Sequence, residues 1–145
     1  MFLGRYTSQI DEQNQLSLPS QYRDSLANGA FVTQGFDRNL LVLKAEAFEG
    51  LIDRVQGLNI ADPNVRMMFR LIMSNAESVR PDNGGRIEIP ATLINFAGLK
   101  AGAVIVGQGN YLEIWAPDTW HTQETILDDA AANGARFKDL NVTQV

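Results

Sequence analysis

Nine residues from Asp11 to Pro19, DEQNQLSLP, recur 71 positions later as DNGGRIEIP from Asp82 to Pro90. An Asp, two apolar residues separated by a polar one, and a Pro all return in register. Apolar residues two apart face the same side of a strand. Leu16 with Leu18, and Ile87 with Ile89, therefore predict two short strands, each turned toward a core. The residues beyond each proline repeat too. Each Pro opens a short helical stretch, SQYRDSL or ATLINFAGL, and proline suits a first helical turn because its missing N–H costs nothing there. Then come the β-rich segments GAFVTQG and GAVIVGQG, a further strand in NLLVLKA and NYLEIWA, and a helix start carrying Phe48 or Trp120. A unit of this size leaves strand edges open and is not stable alone. The expected fold is mainly β with flanking helices, an α+β class, in which the two copies pair into a small β-barrel with pseudo-two-fold symmetry. The copies occupy 5–47 and 76–119, linking helices 48–75, and a helix and tail 120–145.

The linking region reads as two helices. Phe48, Leu51, Ile52 and Val55 have amphipathic spacing and stop near Gly57. Asp62-Pro63 is an N-cap followed by proline at the first helical position. Its apolar stripe runs Val65, Met68, Phe69, Ile72, Met73, Ala76, and such a regular stripe reads as core packing. After Gly134 the chain is short and polar and reads as a loose tail.

The repeated turn is where the copies differ. Gly84 and Gly85 supply a backbone that tolerates positive φ, and Asp82 is placed to accept N–H groups within the turn. In the first copy Asn14 stands at the position of Gly85, and asparagine is the next most tolerant residue for a left-handed conformation. Asp11 matches Asp82. Arg86, however, becomes Gln15. The shape repeats and the cation does not. Arg86 on its own residues reads either as a solvated turn residue paired with Asp82 or as a ligand-facing cation; Gln15 reads as turn filler or as a polar contact.

Other chemistry is sparse. There is no cysteine, so thiolate metal sites are excluded. His121 is the one histidine and has no metal-ligand spacing or nucleophile motif beside it. Asp11 and Asp82 cap equivalent loops rather than forming an acid–base pair. GQGN from Gly107 to Asn110 lacks the Lys-Ser/Thr of a phosphate loop and reads as a β-turn. Trp115 and Trp120 read as core or protomer-interface anchors. No catalytic site, metal, cofactor or small-molecule substrate is expected, and no transmembrane or signal segment is evident. The net charge of −5 is concentrated from Tyr111 onward, where six acids face two bases, so the remaining chain is close to neutral.

MFLGRY at the start, two turns of D-x-x-x-R type each leading to a strand and Pro, and the tryptophan closing the second copy resemble the MraZ family, over residues 1 to about 130. That family is built of two SpoVT-AbrB repeats. The resemblance implies a swapped-hairpin β-barrel made by both repeats of one chain. It also implies a ring-shaped homo-oligomer (octamer or dodecamer) and a cytoplasmic, nucleoid-associated regulator. Such a regulator binds promoter direct repeats in double-stranded DNA and represses its own division and cell-wall operon. The family's DNA-facing residues are the Lys and Arg of its turns. Carried over by position, these are Arg86 with Gly85 in the second turn, and Gln15, Asn14 and Gln13 in the first. Gly84 takes the variable position before Gly85. Arg5, Arg23 and Arg80 are further cations that the motif does not place. An arginine there suits guanine O6/N7 or a phosphate, and a glutamine suits adenine N6/N7. Weaker, more sequence-dependent binding is expected for a chain with one arginine. The alternative is a ring-forming protein-interaction module with reduced DNA affinity. An AbrB-like antitoxin, with one repeat and a toxin-binding tail, fits a two-repeat chain less well.

Overall fold

The computed structural model describes residues 1–140. Its elements run β1 (Arg5–Gln9), β2 (Gln15–Ser17), α1 (Ser20–Leu26), β3 (Ala30–Gln34), β4 (Leu40–Lys44), α2 (Ala45–Gln56) and α3 (Pro63–Asn75). The second half continues with β5 (Glu77–Val79), β6 (Arg86–Glu88), α4 (Ala91–Ala97), β7 (Gly102–Gly107), β8 (Tyr111–Trp115), α5 (Pro117–Leu127) and α6 (Ala130–Phe137), with a 3-10 turn at Lys138–Leu140. The order of strands and helices in β1–α2 is that of β5–α5, as the repeat predicts.

The strands pair between copies. A six-stranded antiparallel sheet has the order β1-β7-β8-β4-β3-β5, and β2 pairs only with β6. The first strand of each copy thus lies against the third strand of the other: β1 on β7, and β5 on β3. In the small ribbon Leu16 faces Ile87, Gln15 faces Glu88 and Ser17 faces Arg86. Leu16 and Ile87 are fully buried, so the ribbon's centre belongs to the core that also holds Leu26, Leu40, Ile105 and Ile114. The helices add apolar cover. Phe48 of α2 stacks on Phe31 at 4.4 Å between centroids, and Ile72 of α3 joins them with Leu43.

Closure into a barrel, the expectation from the sequence, does not occur among the described residues. The large sheet keeps two edges, β1 and β5, and the ribbon forms a separate two-stranded sheet packed on the same core. The reason is length. Strands β2 and β6 are three residues each, and after one intervening residue each meets a proline, which has no N–H for a further ladder bond. The tail expected after Gly134 also differs, because α6 runs through that glycine. Asp129 caps it, accepting the Ala132 N–H at 3.0 Å, and three consecutive alanines favour the helix. The last residues of the predicted 120–145 segment, 141–145, lie outside the described residues.

The N-terminal segment is locked in by backbone. Phe2 and Gly109 exchange hydrogen bonds at 2.9 and 2.7 Å, and Gly107 N–H donates to Gly4 C=O at 2.7 Å. A Cβ on Gly107 would overlap the backbone of Phe2 and Leu3, and backbone cannot rotate aside. Gly107→Ala is expected to destabilise the fold by about 3 kcal/mol, a fall in Tm of roughly 10 °C for a chain of this size, measured by thermal denaturation.

One carboxylate sits inside the sheet. Glu113 on β8 accepts Asn39 Nδ2–H at 3.0 Å and Trp115 Nε1–H at 3.1 Å. Burial nevertheless pushes its carboxyl above the ordinary 4.5, those two hydrogen bonds pull it down, and Asp37 adds a smaller push upward. A raised folded-state pKa means the folded chain binds the proton more tightly than the unfolded one. Stability therefore falls as pH rises from the unfolded value through the folded one. Glu113→Gln removes this loss. The Tm of the variant minus that of wild type is expected to increase as pH rises from 4.5 toward neutrality, followed by calorimetry at stepped pH.

Candidate nucleic-acid interface

The two turns share one backbone. Asp11 Oδ1 accepts the N–H groups of Gln13 (2.9 Å) and Gln15 (3.0 Å). Asp82 Oδ1 accepts those of Gly84 and Arg86, both at 2.9 Å. The main chain repeats as well: Asn14 N–H reaches Asp11 C=O and Gly85 N–H reaches Asp82 C=O, each at 3.0 Å. Asn14 has φ 60° and Gly85 φ 74°, the left-handed conformation that asparagine tolerates and glycine adopts without strain. A carboxylate that accepts two N–H groups fixes a turn without help from the rest of the fold.

The ribbon sets the turns side by side. Ile89 N–H donates to Asn14 C=O at 2.8 Å, and Leu18 N–H donates to Gly85 C=O at 3.0 Å. Each left-handed residue is thus tied to the strand leaving the other turn. Arg86 completes the link: its Nη2 lies 3.4 Å from Asp82 Oδ2, and its Nη1 3.5 Å from Asp11 Oδ2 in the other copy. These pairs are long and exposed, with the Arg86 side chain 45% accessible, and solvent screens such pairs to a small contribution.

The Arg86 N–H bond is the largest influence holding the Asp82 carboxyl below its ordinary range, with the Arg86 charge and the Gly84 N–H acting the same way against desolvation. A lowered pKa contributes stability above the unfolded value and loses it as pH falls through the folded one. The turn is set for neutral pH.

Gln15 is different in kind. Its Oε1 is buried and, among the described residues, has no hydrogen-bond donor. Gln13 and Asn14 lie in the first turn, Gln13 exposed and Asn14 partly so. The structure therefore brings Arg86, Gly85, Gly84 and Asp82 together with Asp11, Gln13, Asn14 and Gln15 in one patch.

Of the three cations the motif leaves unplaced, one joins this patch. Arg23 of α1 donates Nε–H to Leu18 C=O at 3.1 Å, and a Cβ on Gly85 would overlap its Nε, Cδ and Cζ. Its guanidinium lies on the glycine that precedes Arg86. The sequence holds only an indirect hint: Gly85 is glycine although asparagine serves in the equivalent turn. Arg5 is elsewhere, paired with Glu124 and near the Trp120 ring. Arg80 lies beside Glu88 and Pro90 in a shallow pocket at β5. Among the described residues, no three His, Cys, Asp or Glu side chains cluster to hold a metal, and no helix is long and apolar enough to cross a membrane.

Comparison with known proteins agrees with the repeat. The family model described as "MraZ protein, putative antitoxin-like" matches twice, at residues 1–71 and 72–139. The chain is 36% identical to the transcriptional regulator MraZ of Thermomicrobium roseum over 127 residues, covering 88% of this chain and 89% of that one. It is 37% identical to that of Roseiflexus castenholzii over 137 residues, 94% of each. It is 35% identical to that of Mycobacterium ulcerans over 142 residues, covering 97% and 99%. Two family matches in tandem, meeting within α3 where the copies are joined, and relatives aligned over most of their length make this chain a member of the MraZ family.

Proposed function

We propose that this chain is a sequence-specific DNA-binding transcription regulator that contacts promoter direct repeats upstream of its own gene through the paired turns and represses transcription there. The observation that carries the reading is the pair of rigid, equivalent turns held side by side, with the Arg86 guanidinium exposed between two weakly held carboxylates. A guanidinium so placed exchanges those partners for guanine O6 and N7, or for a phosphate, at little cost. A preorganised turn also loses less conformational entropy on binding. Gln15 is the second contact. Its Oε1 is buried in the free chain, so the contact requires the side chain to turn outward, where glutamine suits adenine N6 and N7.

Self-association into a ring, an octamer or dodecamer, belongs to the same proposal. Exposed Phe36, Leu58, Ile60 and Met67 supply apolar surface for it, and a ring multiplies modest contacts along adjacent repeats. Sedimentation velocity reads the stoichiometry directly.

The test is fluorescence anisotropy with labelled duplex from directly upstream of the gene and a scrambled control, at two salt concentrations. Wild type is expected to prefer the upstream duplex. Gln15→Arg is expected to bind both duplexes several-fold more tightly and with a steeper salt dependence, because it adds a cation where glutamine gives none. No preference in wild type even at low salt would end the proposal. A second reading, a protein-interaction module with little DNA affinity, is favoured by the two carboxylates around Arg86 and by the net charge of −5. It gains if wild type ignores upstream DNA while the assembly remains intact.

A further inference from the structure

The patch is more lopsided than the Arg86–Gln15 difference alone makes it. Helix α1 of the first copy lays Arg23 on the second turn. The matching position of α4 in the second copy, 71 residues on, is Ile94, a partly buried residue packed against the core. The second turn therefore has two arginines at it, and the first has a glutamine and no arginine from the opposite helix.

We propose that Arg23 is a second nucleic-acid contact, holding a phosphate beside the base edge that Arg86 reads. This rests on the DNA-binding reading above. Three features of the geometry support it. The Nε–H is committed to Leu18 C=O at 3.1 Å, which fixes the guanidinium plane, and among the described residues neither Nη makes a hydrogen bond. Among the described residues no carboxylate lies within ion-pairing distance of Arg23, unlike Arg86, which has two. And the guanidinium occupies the space above Gly85 that any other residue's Cβ would fill, so glycine at this turn admits the cation as well as the positive φ. Two guanidinium groups against one turn form a cradle for one phosphate and the base next to it, whereas a point contact would need one. Arginine in such a position sets register and affinity, and the base contact sets sequence.

The experiment measures the affinity of wild type, Arg23→Gln, Arg23→Lys and Arg86→Ala for upstream and scrambled duplex across a salt series, with Tm recorded for each. Arg23→Gln is expected to weaken both duplexes by a similar factor, and to lower the slope of log K against log salt by about 0.9 for each phosphate no longer neutralised. Arg23→Lys keeps the charge and is expected to recover most of the slope. Arg86→Ala instead removes the preference between duplexes. A wild-type slope in Arg23→Gln overturns the inference. So does weakened binding with unchanged slope that Arg23→Lys fails to rescue, since Arg23 would then only shape the turn. If wild type itself shows no preference for upstream DNA, the functional reading fails first, and that result is distinct from either outcome at Arg23.

Discussion

Arg86→Ala is expected to abolish the preference for upstream DNA while leaving the fold intact. A bidentate arginine–guanine pair contributes about 1–3 kcal/mol of discrimination, which is roughly 5- to 150-fold for each engaged turn, and the losses multiply when several protomers bind adjacent repeats. The substitution also makes the patch more negative, leaving Arg23 as the cation at this turn. Arg86 stands between Asp11 and Asp82 at 3.5 and 3.4 Å; without it the patch presents two carboxylates to the phosphates. Affinity for scrambled DNA therefore falls too. The turn itself survives, because Asp82 accepts the residue-86 main-chain N–H, which alanine keeps. Tm is expected to change little, since only two exposed, solvent-screened ion pairs are lost. Anisotropy and thermal denaturation of the same preparation separate the two effects.

Ile87→Ala is expected to have the largest effect on stability. Ile87 is fully buried at the centre of the ribbon, opposite Leu16. Truncating a fully buried isoleucine costs about 2–5 kcal/mol, the forfeited transfer energy plus the cavity left behind. That is a large share of the roughly 5–15 kcal/mol that holds a domain folded. The pseudo-symmetry adds a sharper expectation: Leu16→Ala should cost a similar amount, and the two costs should not add, since the residues pair across the ribbon. The ribbon is also what joins the turns, through Ile89 to Asn14 and Leu18 to Gly85. Loosening it is expected to weaken DNA binding as well, although neither residue reaches solvent. Chemical denaturation of the single and double variants measures both the costs and their coupling.

The repeat makes much of this molecule legible in its sequence. The turn backbones follow from Asp11, Asn14, Asp82 and Gly85, because those residues act within four positions of one another. Helix α3 follows from Asp62-Pro63, with Asp62 accepting the Asn64 N–H at 2.9 Å. Which strands pair is a different matter. Leu16 and Ile87 show the same alternation whether each pairs within its own copy or with the other, so the family resemblance, and not the pattern, points to the exchange. Barrel closure is overstated by the alternation, which says which face of a strand is apolar and not how far its ladder extends before Pro19 or Pro90. Arg23 is out of reach for a related reason. It serves a turn whose Gly85 is 62 positions away in the other copy, and only the interleaving puts it there. Gln15 shows in the sequence as a missing cation, but its buried, donorless oxygen depends on the packing around it.

Two turns of one shape carry unequal side chains, and the proposed recognition concentrates at Asp82–Arg86. The decisive comparison sets Arg86→Ala against Gln15→Ala, each titrated with upstream and scrambled duplex at low and physiological salt. Arg86→Ala is expected to remove the preference between duplexes, whereas Gln15→Ala keeps it with a loss of a few-fold. Equal losses from the two substitutions, or a preference that survives Arg86→Ala, would overturn that division of labour.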